Sequence, residues 1–82
     1  MKNTRKNNRK NIIGSQVKAA RLAFVPTLSQ DEVAGRLAKM GISLDRSAIS
    51  RIESHERYVM DFEAVAIAKC LKVSIGYLIG EK

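Results

Sequence analysis

Between Ser29 and Glu53 the chain reads SQDEVAGRLAKMGISLDRSAISRIE, a stretch with two helix starts and one helix stop. Ser29 and Glu32 stand three apart ahead of an apolar-periodic run, as in a capping box, where hydroxyl and carboxylate satisfy free backbone amides reciprocally. Val33, Leu37 and Met40 then recur at helical spacing, with Ala34 and Ala38 as small residues beside them. Gly41 ends that helix, because it enters a left-handed conformation that other residues avoid. Asp45 opens a second helix at Arg46, its carboxylate placed to accept from the unpaired amides of the first turn. In the octet from Arg46 to Glu53, Ile49 and Ile52 fall on one side and anchor it to a core. Arg46, Ser47, Ser50 and Arg51 are left for the other side. Two guanidinium forks and two small hydroxyls suit the major groove of DNA: arginine donates two bonds to guanine, and serine contacts a base or a phosphate. Taken alone, the octet also reads as an ordinary solvated helix face.

The octet has company. Leu28-Ser29-Gln30, Val33-Ala34 and Ser47-Ala48-Ile49-Ser50-Arg51-Ile52-Glu53 together resemble the phage-repressor, Cro-like helix-turn-helix family, often called XRE-type. Asp61, the run Ala68-Lys69-Cys70-Leu71-Lys72-Val73-Ser74 and the closing Tyr77-Leu78-Ile79-Gly80 agree with that family, so the resemblance runs from Ile13 to Gly80. Met40 to Leu44 makes the turn longer than the commonest pattern, as in a longer-turn branch. The resemblance implies an all-α, five-helix, lambda-repressor-like domain that binds double-stranded DNA as a homodimer and regulates transcription, more often by blocking polymerase than by recruiting it. It also implies an ion pair between Arg21 and Glu53 that fixes the recognition helix, and a backbone phosphate contact for Gln30.

Composition sets the outer limits. With 82 residues there is room for one domain, and a chain this short buries only about 60% of its unfolded surface. Aromatic residues make up 5% and tryptophan is absent, so the core must be aliphatic. The net charge of +7 points to a polyanionic partner, nucleic acid before an anionic membrane surface. Residues 1–11, MKNTRKNNRKN, hold Lys2, Arg5, Lys6, Arg9 and Lys10 and no acid. Such a segment has nothing to bury and is expected to be a flexible basic arm, with 12–82 as the folded domain. It is either a solubilising tail or an arm that follows phosphates, and a DNA-binding body favours the arm. The single cysteine, Cys70, lies in an apolar stretch and reads as a buried inert thiol. His55 has no metal-ligand companions. No Gly-rich phosphate loop, paired carboxylates or nucleophile–histidine pair suggests catalysis, so no enzymatic activity, cofactor or metal is expected. No apolar run approaches the length of a membrane span, and a cytoplasmic protein is expected.

The remaining chain frames the octet. Ile12 to Phe24 is expected as the first helix, with Ile13, Val17, Ala20 and Phe24 inward and Pro26 ending it. The loop after Glu53 carries His55, Arg57 and Tyr58. With Ser29, Gln30, Arg9 and Lys10, the first two complete the expected backbone-contacting set. Asp61 is expected to cap a fourth helix whose apolar side holds Phe62, Val65, Ala66, Ile67, Cys70 and Leu71. Ser74 opens a short fifth helix, and surplus apolar surface there suits a homodimer interface. The alternative from another class is an antitoxin-like module whose principal partner is a toxin protein.

Overall fold

Among the described residues, each helix has a side chain at or near its start that accepts a backbone N–H. A computed structural model describes residues 9–81; Lys2, Arg5 and Lys6 of the expected arm lie outside them. The helices are α1 (Gly14–Leu22), α2 (Gln30–Lys39), α3 (Arg46–Glu53), α4 (Asp61–Leu71) and α5 (Ile75–Leu78). Asn11 Oδ1 accepts from the N–H groups of Ile13 and Gly14 at the head of α1. At α2 the capping box is complete: Ser29 Oγ accepts from Glu32 N at 3.0 Å, and Ser29 N donates to Glu32 Oε1 at 2.7 Å. Asp45 Oδ1 takes Ala48 N at 2.8 Å at the start of α3, and Ser74 Oγ takes Tyr77 N at 2.9 Å at the start of α5. Asp61 is not the cap of α4. It is the first helical residue, and the half-cap is supplied by Glu63, whose carboxylate accepts Met60 N at 3.0 Å.

Four helices also end alike. Gly41, His55, Lys72 and Gly80 take left-handed backbone angles after α2, α3, α4 and α5. The next residue in each case donates back five positions: Ile42 to Leu37, Glu56 to Arg51, Val73 to Ala68 and Glu81 to Gly76, at 2.7–3.0 Å. These are Schellman closures, which satisfy carbonyls that a helix end would strand.

The core is aliphatic. Val17, Val33, Leu37, Ile49, Ile52, Ile67 and Leu78 are fully out of water, and α4 packs against α1, α2 and α5 while α3 packs against α1 and α2. The longer turn is itself packed, since Leu44 is buried and Ile42 half-buried against the same core. That fixes the relation of α2 to α3. Four further expectations differ. The first helix is shorter than Ile12–Phe24, because Asn11 sets its start at Gly14 and leaves Ile12 exposed. Met40 caps the C-terminus of α2 and is exposed, not inward. Phe62 is 59% exposed and Val65 43%, so the apolar side of α4 is wider than the core it covers. Asn11 belongs to the domain and not to the arm. No helix among the described residues is long and apolar enough to cross a membrane.

Candidate nucleic-acid interface

The α3 helix is gripped along one side and at its far end. Ala48, Ile49 and Ile52 are buried, which turns Arg46, Ser47, Ser50 and Arg51 outward, and all four are exposed. Arg51 Nη1 donates to Ser47 Oγ at 3.1 Å, one helical turn back, so these two side chains are tied along the helix. Between the start of α2 and the outer side of α3 lies an open polar cleft of about 590 Å³, lined by Gln30, Asp31, Asp45, Arg46, Ser47 and Ser50. The first turn of α2 and the outer side of α3 therefore share one concave surface.

The far end is held by ionised groups. Arg21 Nε and Nη2 donate to the two carboxylate oxygens of Glu53 at 2.7 and 2.9 Å, and Nη1 donates to the Leu28 carbonyl at 2.9 Å. The pair implied by the resemblance is thus formed, with side chains only 10% and 5% exposed. The hydrogen bond to Glu53 first, and its charge second, raise the Arg21 pKa above its ordinary value against the opposing effect of burial. Gln30 Nε2 donates to Glu53 Oε1 at 3.0 Å, which ties the first residue of α2 to the last of α3. The second amide hydrogen and the side-chain carbonyl of Gln30 form no further hydrogen bond among the described residues. From the other side, α1 abuts the end of α3 at Gly14. A Cβ there would overlap the Ile52 carbonyl oxygen and stand 2.9 Å from that of Glu53.

The expected backbone-contacting residues divide. Ser29 is exposed but its hydroxyl serves the cap. His55 is half-buried and both ring nitrogens are engaged within the fold: Nδ1 bonds the Asn11 carbonyl at 3.0 Å and Nε2 bonds Ser15 Oγ at 3.0 Å. Arg57 Nη1 donates to the Tyr58 carbonyl and to Glu63 Oε1, so its guanidinium is half committed inside the fold. Arg9 and Lys10 are exposed. Lys10 N donates to the His55 carbonyl at 2.9 Å, and its ammonium lies 5.3 Å from the Tyr58 ring centroid. The root of the basic segment is thereby fixed beside the end of α3. Asn11 completes that anchor, its amide donating to the carbonyls of Ile52 and Arg57.

Two residues escaped the sequence reading. Asn11 is a cap-type residue three before Gly14, but it sits among like polar neighbours, and the partners of its amide lie more than forty residues away. Lys18 could have been found: it stands three before Arg21, hence on a neighbouring side of α1, and it opens onto the same surface. Cys70 is buried, and burial raises its thiol pKa despite the opposing charge of Arg36. Among the described residues no group of three or more His, Cys, Asp or Glu side chains could hold a metal ion. Compared with known protein families, curated proteins and solved structures, the chain has no match to any of the three.

Proposed function

We propose that this chain is a sequence-specific, double-stranded DNA-binding transcription regulator of the phage-repressor, Cro-like helix-turn-helix kind, acting as a homodimer and most simply as a repressor. One observation carries the reading: α3 exposes Arg46, Ser47, Ser50 and Arg51 together while Ile49 and Ile52 and the Arg21–Glu53–Gln30 network hold it from behind. A helix fixed in this way offers its donors at a set spacing. Arg46 and Arg51 would address base edges, and α2 would cross the phosphate backbone and set the register. Two copies would place their α3 helices roughly 34–36 Å apart on a pseudo-palindromic site.

Selection from random duplexes followed by sequencing tests this directly, since it reports site, symmetry and half-site spacing together. Arg46→Ala or Arg51→Ala should weaken binding by about 1–3 kcal/mol and blur preference at one base pair. Equal loss on selected and random duplexes would assign these arginines to phosphates instead. Exposed Phe62, Val65 and Ile79 favour a protein contact as well. A second copy is the first candidate for it, and a toxin-like partner co-purifying with the chain would replace that reading.

A further inference from the structure

A smaller recess, of about 250 Å³, opens beside the cleft between α1, the start of α2 and the last turn of α3. Lys18, Gln30, Ser50, Glu53 and Ser54 line it. Its donors are not equal. Ser54 Oγ already donates to the Arg51 carbonyl at 3.2 Å and forms only a wall. Glu53 is the one carboxylate of the lining, and both of its oxygens are occupied by Arg21, with Gln30 adding a further bond to Oε1. Its charge is therefore compensated from inside. Lys18 is exposed and has no carboxylate partner among the described residues. The Ser50 hydroxyl has no partner among them either, and Gln30 keeps one amide hydrogen. The recess thus presents one uncompensated cation and two neutral donors, converging from three helices. A water molecule takes about 30 Å³, so the space admits a tetrahedral anion with a few waters around it.

We propose that this recess seats one backbone phosphate of the duplex, with Lys18 as its counter-cation and Gln30 and Ser50 as neutral donors. The inference rests on the DNA-binding reading and deepens it. It extends the contact surface onto α1 and moves Ser50 to the backbone side of α3, leaving Arg46, Ser47 and Arg51 to face the bases. Lysine meets phosphate as a point charge, so the seat contributes affinity and register but no sequence preference.

The test uses the full chain, the duplex recovered by selection, and a scrambled duplex of equal length. Lys18→Gln should lower the slope of log affinity against log salt by about 0.9, which is about eightfold in affinity near 0.1 M salt, on both duplexes alike. Lys18→Arg should retain most of the binding. A scan placing one neutral methylphosphonate at a time in the selected duplex should find a position that weakens the wild-type protein and leaves Lys18→Gln unaffected. Lys18 is exposed, so unchanged helical circular dichroism is expected for both variants. An unchanged salt slope, or a Lys18→Gln protein as sensitive as wild type at every methylphosphonate position, overturns the seat while leaving the α3 reading intact. A wild-type chain that enriches no sequence overturns both.

Discussion

Arg21 spends all three of its guanidinium nitrogens on partners inside the fold: two on Glu53 and one on the Leu28 carbonyl. Removing the guanidinium would leave a carboxylate that is only 5% exposed facing Gln30 alone. Breaking one member of such a pair costs about 3–5 kcal/mol, more than most surface substitutions, because the remaining charge is stranded. Arg21→Ala should therefore lose that much stability in urea titration. Arg21→Lys should recover little, since one ammonium cannot address both carboxylate oxygens and the Leu28 carbonyl. A double replacement of Arg21 and Glu53 by methionine should lose less stability than Arg21→Ala, yet it should broaden the selected DNA site. An Arg21→Ala protein as stable as wild type would show the pair to be solvated and idle. The raised pKa of Arg21 adds no pH dependence near neutrality. A group whose folded pKa is raised contributes fully below its unfolded pKa, and for arginine that lies far above neutral.

At the scale of the helices, shared closures separate conformational cost from contact. His55 and Lys72 hold the same left-handed position after α3 and α4, a conformation that costs a side-chain-bearing residue roughly 1–2 kcal/mol. Lys72 is exposed and no side-chain hydrogen bond from it is formed among the described residues, whereas the His55 ring joins Asn11 and Ser15. Lys72→Gly should therefore raise stability by about 1 kcal/mol, while His55→Gly should show no net gain, as thermal or urea unfolding of the two variants would reveal. A gain of equal size at both positions would mean that the His55 ring contributes nothing. The same contrast explains what the sequence could disclose. Ser29, Asp45 and Ser74 were readable as caps because each acts on an amide three residues ahead. Ile49 and Ile52 were readable from their spacing, and so was the outward set opposite them. Spacing could not separate Leu37 from Met40, or Ile67 from Phe62, because apolar residues at a helix end or edge share the period without sharing the burial. Nothing local marked Asn11 as the stitch between α1 and α3, or His55 as a clamp on Asn11 and Ser15, since both roles act across the chain.

Across the whole molecule, charge and apolar surplus occupy different places. The cations that meet the cleft and its neighbouring recess, Lys18 and Arg46, stand with Arg51 around the outer side of α3. Phe62 and Val65 on α4, and Ile75, Tyr77 and Ile79 on or next to α5, leave apolar surface uncovered. A chain carrying +7 repels its own copy in solution, so pairing needs such surface to offset the repulsion. If α5 supplies it, the inner residue Leu78 holds the helix to the core while Ile75 and Ile79 meet the second copy. Ile79→Glu then keeps the fold, because its side chain is already partly in water, and converts the pair to a monomer in sedimentation. Binding to a two-half-site duplex should fall by about a hundredfold or more, as expected when the second half-site is no longer engaged intramolecularly. Binding to an isolated half-site should not change, because α3 and the Lys18 recess are untouched. Unchanged sedimentation would remove α5 from the interface. Phe62 and Val65 would then be the surface on which a partner closes, and the spacing of half-sites would have to follow from α4.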